Sequence, residues 1–248
     1  ETWSRSSTGP ASGMNVLPSS SDALLRELTL SDQFAHGLPL SLDELQRSVS
    51  HTGGMHRLRC VLHKLRAGEN VTIGVLGGSV SAGSSSAVRK DQSGLFHKKI
   101  QNWLRSRVAR GAVDHFNAAM PAIPPTYMEH CLESHVPTDA NLIFLEAAAN
   151  MCGQTGCDQG RASVERILRR MLRYPSRPAV VFVHAFPFWT MDGPKGWSAK
   201  VDGRKSYWLE KEDLTFDFHS QWGHVPNEHL LEELVKYYGL PSVSLRNV

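Results

Sequence analysis

VTIGVLGGSVSAG, residues 71–83, decides how the rest of the chain reads. An apolar run from Val71 to Leu76 stops at two glycines and a serine. So short an apolar run reads as a strand. Three readings compete for the turn that follows: a phosphate-cradling loop, a presented serine nucleophile, or a plain tight turn. A Walker-type loop needs G-x-x-x-x-G-K-[ST], because its lysine pairs with the β and γ phosphates. Gly78 and Gly83 have that spacing, but Ser84 stands where the lysine belongs. The dinucleotide pattern G-x-G-x-x-G does not fit glycines 74, 77, 78 and 83 either. A Ser- and Gly-rich phosphate loop of flavodoxin type stays open. A serine at the carboxyl end of a parallel strand, by contrast, lies where open α/β sheets bind ligands. The glycines beside it let the backbone turn and a substrate approach closely.

Working outward, strands alternate with amphipathic helices. Met55 to Ala67 places Leu58, Val61, Leu62 and Leu65 on one helical face, with Gly68 as a stop. Phe96, Ile100, Trp103, Leu104 and Val108 recur at helical spacing, and Thr126 to His135 reads as helix. Val164, Ile167, Leu168, Met171 and Leu172 form a further stripe, and Leu230 to Tyr238 a last helix before Gly239. Further strands are expected at 113–116, 141–145, 179–184 and 242–245. The pattern predicts an α/β fold: a three-layer α/β/α sandwich around a five-stranded parallel sheet of flavodoxin-like kind. Residues 1–50, rich in Ser, Gly and Pro, read as an N-terminal extension or linker, within which Ala23 to Leu30 can form a turn or two of helix and order begins at Ser41. Residues 51–248 read as the folded domain, with a long polar and aromatic loop between 185 and 226.

Composition narrows the function classes. The 41% hydrophobic content supports a sizeable core in 248 residues. The net charge is +3 and the basic residues are scattered over helix faces, so no nucleic-acid partner is expected. No apolar run reaches the roughly 18 residues of a membrane span. Cys152 and Cys157 flank a Gly-rich loop and either pair locally or stay as thiols. The spacing is not C-x-x-C, so no metal site is expected. The sequon Asn70-Val-Thr72 abuts a strand and says little about compartment, although a secretory setting is slightly favoured. Oligomeric state stays open.

Three post-strand loops carry the functional argument. The first holds Gly77-Gly78-Ser79, the second Asn117-Ala-Ala-Met-Pro-Ala122, the third Glu146-Ala-Ala-Ala-Asn150. Together they offer a serine, backbone N–H donors and an asparagine amide at one sheet edge, a nucleophile beside an oxyanion hole.

These blocks resemble those of the SGNH (GDSL-type) hydrolases. Gly77-Gly78-Ser79-Val-Ser-Ala-Gly83 is similar to the family's G-D-S-x-x-x-G, with Gly78 in place of the aspartate. Ala122 stands where the family has a glycine whose N–H faces the oxyanion. Ala148-Ala149-Asn150-Met151 matches G-x-N-D at the asparagine. Within the family the chain looks closest to SGNH-like proteins of green algae, which share G-G-S-x-S-x-G and the stretch Tyr237 to Arg246. The resemblance implies Ser79 as nucleophile, the Ser79 and Ala122 amides and the Asn150 side chain as oxyanion donors, and hydrolysis of a small-molecule or glycan ester without metal or organic cofactor. The family's last block, Asp-x-x-His, supplies the general base, and no Asp in the chain has a His three residues on. The domain is therefore expected to continue past Val248.

Other residues are weighed by position. His184 ends a strand, so it faces the crevice side as a candidate substrate-binding group or stand-in base; a satisfied core histidine is the commoner outcome. Glu146 also ends a strand, so it either pairs with a basic residue, the commoner outcome, or lies near the site. Trp189, Trp197, Trp208 and Trp222 either line a sugar-binding face or hold the long loop down. His219, His224 and His229 read as surface residues.

Overall fold

The computed structural model describes residues 40–84, 92–108, 110–151, 157–185, 199–201, 204–206, 227–245 and 247. The N-terminal stretch to Pro39, the Ala23–Leu30 helix expected there, the Trp cluster and His219 and His224 lie outside the described residues.

The chain from Leu40 onward opens with α1 (Leu42–Ser48), started by a capping box in which Ser41 and Glu44 bond each other's backbone N–H groups. It leads into β1 (Val49–His51), then α2 (His56–Ala67) and β2 (Val71–Gly77). A single turn of helix, α3 (Ser79–Ala82), precedes α4 (Phe96–Arg107) and β3 (Val113–Asn117). Next come α5 (Pro125–His130), α6 (Leu132–His135), β4 (Leu142–Glu146), a 3₁₀ turn (Ala148–Asn150) and α7 (Cys157–Met171). After β5 (Ala179–His184), a short hairpin pairs β6 (Ala199–Val201) with β7 (Arg204–Ser206) inside the stretch expected to be loop. The described chain closes with α8 (Asn227–Tyr238) and β8 (Ser242–Ser244).

The main sheet runs β1-β8-β5-β4-β2-β3. All neighbours are parallel except β1, which pairs antiparallel with β8. The expected five parallel strands are therefore present in flavodoxin-like order, and a sixth extends the β8 edge. That strand, Val49–His51, straddles the boundary expected between extension and domain. Thr126 to His135, expected as one helix, is two short ones meeting at Cys131.

Successive strand residues face opposite layers, as the pleat requires. Ile73, Val75, Leu142, Phe144, Val181 and Val183 pack with Val61, Leu65 and Leu104 of α2 and α4. Leu76, Ile143, Leu145, Val180 and Phe182 pack with α5 to α8 through Met128, Leu132, Val164, Ile167, Leu168, Leu231 and Val235. Both faces are covered, which is why β2, β4 and β5 are largely apolar rather than alternating, Thr72, Glu146 and His184 excepted. Arg166 and Arg170 of α7 pair with Glu129 and Glu133, tying α7 to α5 and α6. Cys60 and Cys131 are free thiols, whereas Cys157 is disulfide-bonded to a partner outside the described residues. No described helix is long and apolar enough to cross a membrane.

Candidate active site

β2 delivers its last residue, Gly77, level with Glu146 at the end of β4. Ser79 follows as the first residue of α3, with Gly78 as its extended N-cap. Helix geometry leaves the amides of such a first turn without a carbonyl one turn back to accept them. Ser79 is half-buried.

The loop after β3 continues alongside β2. The Ala118 amide donates to the Val75 carbonyl and the Met120 amide to the Gly77 carbonyl, both at 2.9 Å. This brings Ala122 to the same edge, exposed and at φ +60°. The left-handed region favours glycine; Ala122 adopts it while carrying a methyl group.

The loop after β4 supplies Asn150 from the 3₁₀ turn. Its Nδ2 donates to the Ile123 carbonyl at 3.0 Å, joining the second and third loops. The same Nδ2 would lie 2.8 Å from a Cβ placed on Gly78. Asn150 thus occupies the space that a larger residue at position 78 would need, which accounts for glycine there. Ser79, Ala122 and Asn150, predicted from separate stretches, stand on three loops that meet.

Glu146 departs from the commoner of its two expected outcomes. It is completely buried, and no cation among the described residues pairs with it. Its Oε2 accepts the Gly78 N–H at 2.9 Å, and its Oε1 has no hydrogen-bond partner among the described residues. Burial pushes its carboxyl up to about 7, against the opposing pull of the Gly78 amide and the Ser81 amide and hydroxyl. The sequence carried one signal of this, a charged residue closing a wholly apolar strand four positions before Asn150.

Sequence reasoning missed His97 and His115 altogether. The His97 ring is buried, with Nε2 2.9 Å from the Ser81 carbonyl and Nδ1 2.8 Å from His115 Nε2. Since a carbonyl only accepts, His97 Nε2 carries the proton, and its Nδ1 accepts from His115. Burial holds both rings below the ordinary histidine range, His115 at about 4. Asn117 Nδ2 donates to the same carbonyl, so the far end of α3 is braced from α4 and β3.

His184 does not open onto a crevice. It is 1% exposed, and its Nε2 lies 3.0 Å from Glu232 Oε1, which also accepts from the Ser242 hydroxyl. Of the two readings, candidate substrate-binding group or core histidine, its burial and its pairing with α8 fit the core histidine. Burial raises the Glu232 carboxyl, but the stronger opposing effects of His184 and Ser242 leave it below the ordinary range. His229 lies exposed on α8.

No protein-family model and no curated protein matches this sequence. Solved structures do. A two-domain esterase (CEX) active on acetylated mannans shares the fold at TM-score 0.61 and 16% identity, over 82% of this chain and 44% of its own. Its crystal form with mannopentaose gives the same TM-score over 45% of that chain. A smaller region, 47% of this chain, is similar at TM-score 0.36 to AlinE4, an SGNH-hydrolase family esterase. The chain thus spans less than half of the two-domain esterase. Its α/β fold is shared with that esterase domain.

Proposed function

We propose that this domain is a serine esterase of SGNH type, with Ser79 as its nucleophile. The observation that carries the reading is the meeting of three post-strand loops at Gly78-Ser79, with the Asn150 amide against that turn. Ser79 Oγ attacks an ester carbonyl, and the Ser79 and Ala122 N–H groups with Asn150 Nδ2 bind the oxyanion. Asn150 holds its place with one N–H on the Ile123 carbonyl, which leaves the other for the substrate. Alcohol leaves, and water then releases the acid from the acyl-serine. A histidine must take the Ser79 proton; none stands on these loops, and Asp-x-x-His does not occur in the 248 residues. Because the structurally similar two-domain esterase acts on acetylated mannans, acetylated glycans are the first substrate class to try.

The test uses p-nitrophenyl acetate, with excess imidazole as an external base. Ser79→Ala is expected to abolish the protein-dependent rate with the fold intact, and Asn150→Ala to lower it about a hundredfold. Equal rates for wild type and Ser79→Ala would refute the reading. Gly78, Ala122 and Met151, which depart from the SGNH pattern, favour one second reading, a non-catalytic module that binds acylated glycans. Retained binding of an acetylated mannan oligosaccharide without any Ser79-dependent hydrolysis would establish that alternative.

A further inference from the structure

Glu146 is a buried group that the reaction just described does not use. Among the described residues it is the most deeply buried carboxylate. Taking a charge out of water without a cation is costly, so its surroundings must either hydrogen-bond it or keep it neutral. What surrounds it is the nucleophile turn. Its Oε2 takes the Gly78 N–H. A Cβ on Gly77 would come within 3.0 Å of Glu146 Cβ and Oε2, and one on Gly78 within 2.8 Å of Asn150 Nδ2. The end of β4 and the 3₁₀ turn after it therefore close on both glycines at once, Glu146 on one and Asn150 on the next. Neither approach tolerates a side chain at 77 or 78.

We propose that Glu146 is the positioning residue of the Ser79 turn: its carboxyl group fixes the Gly77–Gly78 peptide plane on which the Ser79 amide and hydroxyl are mounted. The consequence for catalysis rests on Ser79 being the nucleophile; the placement of the turn does not. A carboxyl oxygen accepts the Gly78 N–H whether the group is neutral or ionised, so glutamine can replace it in this task and leucine cannot. Ionisation adds a negative charge behind the oxyanion donors. The titratable groups nearby do not offset that charge. His97 and His115, held below the ordinary histidine range by burial, sit at the Ser81 carbonyl, and His184 is engaged by Glu232.

The experiment is a ¹⁵N–¹H NMR titration of the whole chain from pH 5.5 to 8.5, for wild type, Glu146→Gln and Glu146→Leu. The Gly78 and Ser79 amide signals of the wild type should follow one common titration, which Glu146→Gln abolishes while keeping the signals near their low-pH positions. Glu146→Leu should move both signals and slow reaction of Ser79 with a fluorophosphonate, imidazole supplied, by about a hundredfold, the scale of a misplaced reacting group. Glu146→Gln should react within about threefold of wild type at pH 5.5, since it keeps the acceptor. Gly78 and Ser79 signals indifferent to pH and to both substitutions would overturn the proposal, as would undiminished reaction of Glu146→Leu. If wild-type Ser79 does not react at all, the nucleophile reading fails on its own and the amide signals alone decide the role of Glu146. Should Glu146→Leu not fold, the titration of wild type against Glu146→Gln decides it.

Discussion

At the scale of single residues, Ala122 and Glu146 carry conformational and electrostatic costs that their positions explain. Ala122 at φ +60° holds a methyl group in a region where L-residues are strained by about 1 kcal/mol or more. Ala122→Gly removes that strain, so it should leave stability unchanged or raise it by up to about 1 kcal/mol, a rise of roughly 2–4 °C in Tm for a domain of this size. A fall in Tm on calorimetry would contradict the strain. For Glu146 the sign is fixed by burial: its folded carboxyl sits near 7, above the ordinary 4.5. Between those values the folded protein holds a proton that the unfolded chain has released. Stability from this group is therefore lost as pH rises from about 4.5 through 7, by about 3 kcal/mol in all. Urea melts at pH 5 and pH 8 should show this loss in wild type and not in Glu146→Gln; parallel behaviour of the two would contradict it. The Gly-Gly-Ser turn and Asn150 were legible because strand ends and glycines leave local marks in a sequence. The partner of Glu146 was not legible, since the Gly78 N–H that holds it lies 68 residues away.

At the scale of elements, α7 sets the position of the Asn150 loop. A Cβ on Gly160 would fall 2.0 Å from the Met151 carbonyl oxygen, so helix and loop touch backbone to backbone. That contact cannot be relieved by a rotamer change. Gly160→Ala should therefore cost about 1–3 kcal/mol through overpacking, despite the gain in helix propensity, and displace Asn150 from Gly78. Thermal melts report the first effect, and loss of the Ser79-dependent rate the second. A stabilised, fully active Gly160→Ala would mean that the loop is placed otherwise. The long strands and the helices α2, α4, α7 and α8 were readable because each carries a sustained apolar period. β1 was not: three residues, Val49 to His51, have no period, and only pairing with β8 makes them a strand. Cys131 breaks the expected 126–135 helix although its apolar positions, Met128 and Leu132, both reach the core.

At the scale of the whole molecule, alternation of strand and helix determined the sheet, and the sheet brought three distant loops to one edge. The same alternation placed His184 at a strand end, yet α8 covers it with Glu232. Whether a strand-end side chain opens to solvent depends on the helix laid across it, which periodicity does not show. Leaving a buried polar group without its partner costs about 1–3 kcal/mol. His184→Ala should lower stability on that scale while leaving reaction at Ser79 intact in the folded fraction; a selective loss of reaction without destabilisation would restore a site role for His184. The central claim is that Ser79 is an activated nucleophile on this fold. Peptide mass spectrometry after fluorophosphonate treatment, imidazole supplied, tests it most directly: the account predicts a single phosphonyl adduct on Ser79 that Ser79→Ala lacks, and folded protein left unmodified there, or modified equally in the Ser79→Ala variant, would contradict it.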